Sequence, residues 1–335
     1  MSRLAATIQH PTPPETAQPG PRRIILANPH SFRMSSRNRL QRIDRLAHAS
    51  GIPLYPVHGP AEIEAVLIET APGPGDQLIV IGGDGTLQAA VSQLAAAAEA
   101  GKAPSLCMLG GGRTNFTARD LGSHKHLLRS LEHLIRQPQD WHPVERPVLR
   151  ISGSEHGDLY GFFVAGALVD AVIRDCHDYR ARSRGWLATG HAATPWRLAQ
   201  LAALGLAGRK RFSVPQIQLE TSGLGVLEGA ARILLVTSLQ HASGRLNPYA
   251  ARGHGSIRLT VIQEFARNFW RRLPALLQGR FGADDVPENG FLSGNTERLS
   301  VTGLPSICLD GQEYELDPSQ RIVIEPGPLF RFQHP

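Results

Sequence analysis

The sequence predicts an α/β domain built on a parallel sheet, followed by a mainly β domain of the sandwich type with helical insertions. The first half alternates short apolar runs with helical patterns, which is typical of a parallel sheet covered on both faces. After Trp141, short strand-like segments follow one another between turn residues, as in antiparallel sandwiches. We therefore expect a disordered tail over residues 1–23, the α/β domain over 24–143 and the β domain over 144–335.

The elements of the first half follow from apolar runs and helical periodicity. Strands are predicted at Ile24–Ala27, Leu54–Val57, Gln77–Ile81 and Ser105–Leu109. Helices are predicted over Arg37–Ser50, Ala61–Glu69 and Leu87–Ala100, with a further helix that ends near Arg136.

The second half is predicted to consist mostly of short strands bounded by turn residues. They are Pro147–Ser152, Leu159–Val164, Gln216–Glu220, Ala231–Thr237, Ser256–Ile262, Arg298–Thr302, Ser306–Leu309 and Arg321–Ile324. Two helical segments interrupt them, at Ala171–Leu206 and Phe265–Leu277.

Composition restricts the classes of function. The chain has 335 residues, of which 41% are hydrophobic and 19% charged, and its formal net charge is +6. Its only lysines are Lys102, Lys125 and Lys210, and none precedes Ser or Thr, which excludes a Walker A loop. The three cysteines are isolated and indicate neither a zinc site nor disulfides. Because no apolar run reaches ~18 residues, we expect a cytoplasmic protein that contacts membranes only peripherally, on their inner face.

The most informative segment is the run Gly82, Gly83, Asp84, Gly85 and Thr86, between an apolar strand and a helical pattern. Glycines allow a bulky anion to approach the backbone, and the helix that follows directs its N-terminus at that anion. Thr86 is predicted to be the N-cap of this helix. A carboxylate beside phosphates is explained by a divalent cation or a protonated partner. The segment therefore predicts a nucleotide phosphate site.

Two further loops follow strands and are expected at the same carboxyl edge of the sheet, where open α/β sheets bind ligands. Asn28 and Ser31, in the run Asn-Pro-His-Ser, offer short hydrogen-bonding side chains after the first strand. A second glycine cluster follows the fourth strand and contains Gly112, Arg113 and Asn115.

Together these motifs resemble the diacylglycerol kinase catalytic-domain family, which includes bacterial soluble lipid kinases related to sphingosine kinases and, distantly, to NAD kinases. The GGDGT run is identical to the family motif, and the other two loops are similar to its NPxS and LPxGTxN segments. The resemblance implies a Rossmann-like sheet of the NAD kinase and diacylglycerol kinase type. It also implies that all three loops hold ATP, with Mg²⁺ accompanying the nucleotide.

Four positions depart from the family pattern. Phe116 stands where many members carry Asp. Arg113 replaces a nucleotide-contacting Thr; an arginine can hold phosphate through its planar fork of donors or block the base. His254 replaces an Asp in a loop that binds a structural Mg²⁺ in many members, so no metal site is predicted there. Gln312 takes the place of the Glu that the family is taken to use as general base.

The catalytic base is therefore open to three interpretations. Glu313, one position later, would point to the opposite face of a strand unless a bulge at Gly311 turned it back. Alternatively, Asp310 or Asp84 acts through a water, or catalysis is impaired because Gln312 cannot take a proton.

The expected function is an ATP-dependent lipid kinase that phosphorylates a hydroxyl of diacylglycerol or a similar lipid. A catalytically impaired nucleotide- or lipid-binding protein and an NAD kinase-like enzyme are the alternatives. The predicted partners are ATP, the lipid and a membrane surface, without nucleic acid, and both a monomer and a homodimer remain open. Trp196–Leu204, followed by the basic residues 209–211, is an amphipathic segment that either lies on the membrane or packs on the sandwich.

Overall fold

The computed structural model describes residues 21–34, 37–112, 115–121, 123, 126–137, 142–182, 213–240 and 247–334. The predicted tail up to residue 20 and the amphipathic segment Trp196–Leu204 lie outside these residues.

Four parallel strands form the first part of the sheet in the order β2-β1-β3-β4. They are β1 (Arg23–Ala27), β2 (Leu54–Pro56), β3 (Gln77–Gly82) and β4 (Ser105–Gly110). The helices between and after them are α1 (Arg37–Ala49), α2 (Pro60–Thr70), α3 (Asp84–Glu99), α4 (Phe116–Asp120) and α5 (Leu127–Arg136). This alternation confirms the predicted α/β class.

Both faces of this sheet are buried, which explains its continuous apolar strands. Every residue of β3 is buried, and its side chains alternate between two core clusters. Leu78 and Val80 pack in the cluster that contains Leu87 of α3. Ile79 and Ile81 pack on the opposite face, with residues of α1 and α5.

The second part of the chain is mainly β and largely antiparallel, as predicted. Its strands are β5 (His142–Ser152), β6 (Leu159–Gly161), β7 (Phe163–Gly166), β8 (Gln216–Thr221), β9 (Gly225–Thr237), β10 (Ile257–Gln263), β11 (Phe291–Thr296), β12 (Leu299–Thr302), β13 (Ser306–Leu309), β14 (Gln312–Glu315) and β15 (Ile322–His334). Two described helices accompany them, α6 (Leu168–Arg182) and α7 (Phe269–Leu276).

The long strand β9 belongs to two layers of this region. One layer has the order β14-β13-β7-β9-β10-β11, and the other continues from β9 through β8, β12 and β15 to β5. Apolar side chains from both layers form one large core cluster, which includes Leu149, Val164, Leu219, Val236 and Leu259.

Several strands of the second half differ from the sequence prediction. Strands β5 and β9 begin earlier than predicted, and the predicted strand Leu159–Val164 is divided into β6 and β7. Strands β11 and β14 were not predicted, and β15 extends well past the predicted Arg321–Ile324. It continues beyond Pro326 because the pairing with β5 shifts register there, so the proline does not interrupt a regular ladder. Its last part pairs in parallel with β4, where Phe332 faces Leu106. The last strand thus extends the first sheet.

Candidate active site

A cleft of about 640 Å³ opens at the carboxyl ends of the parallel strands. This volume lies within the range of ~300–1,000 Å³ that is typical of small-molecule sites. Of the predicted site residues, it is lined by Asn28, Ser31, Gly83, Gly85, Thr86 and Gly112. All three loops that were predicted to meet at one sheet edge therefore contribute to one cavity.

The two glycine loops pack directly on each other. The backbone N–H groups of Gly111 and Gly112 donate to the carbonyl oxygen of Gly82, with N···O distances of 2.6 and 3.2 Å. A Cβ atom on Gly112 would lie 2.8 Å from the Cα atom of Gly83, closer than such atoms approach. The close packing of the loops therefore requires glycine at position 112.

Asn115 fixes the second glycine loop from inside. Its side-chain oxygen accepts the N–H of Gly112 and its amide nitrogen donates to the carbonyl oxygen of the same residue, each at 2.7 Å. Asn115 is buried and has a φ of +48°, a conformation that Asn tolerates better than most residues. It supports the loop rather than lining the cleft. Arg113 lies outside the described residues.

Thr86 connects the first glycine loop to the loop of Asn28 after β1, and its predicted role as N-cap is wrong. Helix α3 begins at Asp84 with Gly83 as the N-cap, because the extended backbone continues only to Gly83. Thr86 lies in the first turn, where its hydroxyl accepts a hydrogen bond of 3.1 Å from the Asn28 amide. Ser31 donates in turn to the carbonyl oxygen of Asn28 at 2.9 Å.

Asp84 lies in the first turn of α3, beside the cleft. Its Oδ1 accepts the backbone N–H of Thr117 at 3.1 Å, which orients the carboxylate. Mg²⁺ in kinases is held by one or two carboxylates together with substrate phosphates. A single oriented carboxylate next to two glycine loops fits this donor set.

Asp310 is buried and holds the β13–β14 hairpin against the start of β7. Its two carboxylate oxygens accept the N–H groups of Phe162 and Phe163, at 2.7 and 3.0 Å. Burial raises the pKa of Asp310 well above its ordinary value, and the negative charge of Asp84 raises it further. The two carboxylates are therefore near enough to interact.

Gln312 and Glu313 lie on opposite faces of β14. The hairpin register runs without interruption from Ser306 opposite Glu315 to Leu309 opposite Gln312, so no bulge turns Glu313 back. Gln312 lines the cleft. The carboxylate of Glu313 lies 3.7 Å from the Arg174 guanidinium on α6. The structure therefore brings Gln312, and not Glu313, to the predicted nucleotide loops.

Sequence reasoning missed the residues that join the two halves beside the cleft. The buried Gln88 side chain on α3 donates to the carbonyl oxygen of Tyr160 at 3.0 Å and lies 3.5 Å from the Tyr314 hydroxyl. Tyr314 is on the same face of β14 as Gln312, so strand alternation would have identified it had β14 been predicted.

Two histidines on the cleft wall were also missed as a pair. The rings of His30 and His58 meet edge to face, with centroids 5.0 Å apart. His58 is also 2.9 Å from the Glu62 carboxylate, and this hydrogen bond lowers the pKa of Glu62. The position of His58 directly after β2, at the carboxyl edge of the sheet, is the signal that could have identified it.

The described residues contain no cluster of three or more His, Cys, Asp and Glu side chains arranged for a metal ion. His254, which replaces the family Asp, is exposed. Among the helices of the described part of the chain, none combines the length and apolarity needed to cross a membrane.

Residues 22–142 match the family model of the diacylglycerol kinase catalytic domain. The match includes both glycine loops and confirms the resemblance predicted from the motifs. This part of the chain is therefore similar to the catalytic domain of a lipid kinase family. No curated protein matches the sequence.

Solved structures show the same fold over nearly the whole chain. A "putative diacylglycerol kinase" from Bacillus anthracis str. Sterne has 14% sequence identity and a TM-score of 0.63, and the alignment covers 94% of this chain and 97% of that one. Another structure, of a diacylglycerol kinase from the same organism, has 13% identity and a TM-score of 0.58 with the same coverage. At such identities the similarity shows the fold alone.

Proposed function

We propose that this protein is an ATP-dependent lipid kinase that transfers a phosphoryl group to a hydroxyl of diacylglycerol or a similar lipid. One observation carries the proposal: the cleft joins the glycine loops of a diacylglycerol kinase catalytic domain to the β13–β14 hairpin of the second half. Phosphoryl transfer depends mainly on positioning and on charge stabilisation, and this cleft has residues suited to both.

The first turn of α3 and the second glycine loop are the parts suited to the nucleotide. Gly83, Gly85 and Gly112 expose backbone to the cleft, and the N-terminus of α3 favours negative charge there. Asp84 is the residue that would hold Mg²⁺, which neutralises charge on the transferred phosphoryl group. Asn28, Ser31 and Asn115 keep the loops in place.

The acceptor hydroxyl is expected next to Gln312. The amide oxygen of Gln312 can accept a hydrogen bond from the hydroxyl and orient it, but it cannot remove the proton. Asp310 is buried and both of its carboxylate oxygens already accept backbone N–H groups, so we assign the proton to Asp84 through a water. Glu313 is a poor candidate because it faces Arg174.

The test is to incubate the protein with γ-labelled ATP, Mg²⁺ and mixed micelles of bacterial lipid extract, and to chromatograph the organic phase. Asp84→Asn is the test variant, and Glu313→Gln is the matched control that also removes one carboxylate. Label in a lipid that is lost with Asp84→Asn and kept with Glu313→Gln supports the proposal. Equal labelling by the wild type and Asp84→Asn contradicts the assignment of the site.

A second candidate function is a nucleotide- or lipid-binding protein without turnover, and Gln312 at the cleft favours it. This alternative predicts that ATP binds, as measured by calorimetry, while no acceptor becomes labelled. NAD is included among the acceptors tested, because phosphorylation of NAD would instead indicate the NAD kinase-like activity.

A further inference from the structure

Helix α7 carries an unusual surface far along the chain from the nucleotide loops. Trp270 and Phe265, just before the helix, are exposed by 53% and 64%. Large aromatic side chains with this exposure are uncommon on surfaces that face only water, and a group of them marks an interaction site. We name the surface formed by Phe265, Trp270, Pro274 and Leu277 the α7 patch.

The helix has two apolar stripes, and among the described residues only one of them packs in a core cluster. Phe269, Leu273 and Leu276 face inward and pack with Ile262 and Phe291 in a small separate core. Trp270, Pro274 and Leu277 repeat the same spacing one position later and are exposed. A helix that only covered the core would have polar residues at these positions.

The charged side chains within the segment that forms the α7 patch have one sign, and the nearest carboxylates along the chain, Glu264 and Asp284, lie outside it. From Phe265 to Arg280 the chain has four arginines and no carboxylate. Arg272 is paired with Asp285, whereas Arg267, Arg271 and Arg280 are exposed. These three cations flank the apolar stripe, so the partner that complements this surface is apolar inside and negatively charged outside.

The aromatic side chains are also held in place before any partner binds. The guanidinium of Arg232, on β9, lies 4.8 Å from the centre of the Phe269 ring and 5.6 Å from that of Trp270. The two rings themselves meet edge to face at 5.0 Å. Since the Trp270 ring is already oriented, little side-chain entropy remains to be lost on binding.

We propose that the α7 patch docks the protein on an anionic lipid bilayer. Tryptophan and phenylalanine insert favourably at the level of the head groups, and arginines bind the anionic lipids around them. A second copy of the chain fits less well, because a twofold contact through this patch would bring the exposed arginines of both copies into one interface. The inference does not depend on the proposed kinase activity, because vesicle binding is measured in the absence of ATP.

The test is sedimentation with vesicles of phosphatidylcholine alone and of phosphatidylcholine mixed with phosphatidylglycerol. The aromatic variant is Phe265→Ser/Trp270→Ser. The matched control is Ile68→Ser/Leu329→Ser, which removes two apolar side chains that are also exposed, by 73% and 59%. Circular dichroism establishes that each variant is folded.

We expect the wild type and the control to bind the anionic vesicles and the aromatic variant to bind them at least about tenfold more weakly. Arg267→Gln/Arg271→Gln should reduce the preference for phosphatidylglycerol, and salt should weaken the wild type. Trp270 fluorescence, identified by comparison with Trp270→Phe, should shift to the blue on binding. Equal binding by the wild type and a folded aromatic variant would overturn the proposal. A dimer in light scattering that the aromatic substitutions dissociate would also overturn it, in favour of self-association.

Discussion

Gln312 lies directly against Gly85: its amide nitrogen is 2.9 Å from the point that a Cβ atom on Gly85 would occupy. Gly85 is in the first turn of α3, and Gln312 begins β14. The contact therefore joins the nucleotide loop to the hairpin of the second half. It also places the residue that replaces the family's general base within the proposed catalytic cleft.

Alanine at Gly85 and at Gly112 should have different effects on stability. At Gly85 the new methyl group meets the flexible end of a side chain, so Gln312 can swing away, and we expect a loss below about 1 kcal/mol. At Gly112 it meets the Cα atom of Gly83 at 2.8 Å, and backbone must move, which costs about 1–3 kcal/mol. Urea unfolding of both variants measures the difference, and equal losses would refute this account of the glycine loops.

Gln312→Glu should increase the rate of phosphoryl transfer. A carboxylate can accept the hydroxyl proton where the amide cannot, and positioned general bases contribute about 10²–10⁴-fold to rates. In the wild type we already assign the proton to a carboxylate that acts through a water, so the gain should be smaller than this full range. We expect an increase of at least about tenfold. Glu313→Gln should leave the rate unchanged. A rate that depends on Glu313 and is insensitive to position 312 would restore the interpretation of Glu313 as the base.

Asp310 should make folding stability fall as the pH rises. Because burial raises its pKa in the folded state, its stabilising contribution is complete below the ordinary pKa of about 4. This contribution is lost as the pH rises through the higher, folded-state pKa.

Asp310→Asn removes the titrating group. It also removes one of the two hydrogen bonds from Phe162 and Phe163, which costs about 1 kcal/mol. The stability advantage of the wild type over the variant should therefore shrink as the pH rises above about 4. Denaturant unfolding at several pH values checks this. An advantage that grows with pH would mean that the two N–H donors outweigh burial.

Arg174 should be required for stability because of the buried carboxylate beside it. Its Nε atom donates to Asp170 at 2.9 Å. Burial raises the pKa of Asp170, whose Oδ1 has no hydrogen-bond partner among the described residues. Arg174→Met leaves this group without its cation, which should cost about 3–5 kcal/mol. The double variant Asp170→Asn/Arg174→Met should recover part of that loss in thermal unfolding. Additive effects of the two substitutions would show that the pair is not coupled.

The parallel part of the fold could be predicted from sequence because each buried strand is a short apolar run that ends in turn residues. The predicted start of α3 was wrong because the residues around the glycines give no helix-propensity signal. Asp84, Gly85 and Thr86 are poor or neutral helix formers, yet they make the first turn of α3. The hydrogen bond between Thr86 and Asn28 in this first turn is a tertiary contact, which helix propensity does not report.

The antiparallel part was less predictable because its strands contain residues that usually end strands. β11 includes Gly294, where a Cβ would lie 2.7 Å from the Arg252 carbonyl oxygen, so close backbone packing selects glycine there. β14 is short and mostly polar, and follows the two-residue turn of Asp310 and Gly311, both with positive φ. β15 passes through Pro326 at a shift in register. The contact of Gly294 with Arg252 and the register shift at Pro326 are not local in sequence.

The candidate site was predictable to the extent that its loops follow strands. Parallel strands bring their carboxyl ends to one edge, so Asn28, Gly83 and Gly112 could be placed together. The position of Gln312 depends on a hairpin from the other half of the chain, and its partners could not be read from spacing. Gln88 and Tyr314 were missed for the same reason.

The return of β15 to the first sheet has a consequence for synthesis on the ribosome. Phe330 and Phe332 belong to the core that β3 and α3 build, and β15 pairs with β4. During translation, this core cannot be completed until Phe330 and Phe332 are synthesised, long after the rest of the parallel sheet. Until then the edge of β4 is exposed to other chains. We therefore expect that the segment that matches the kinase family model does not fold autonomously, and that nascent chains released before β15 depend on chaperones.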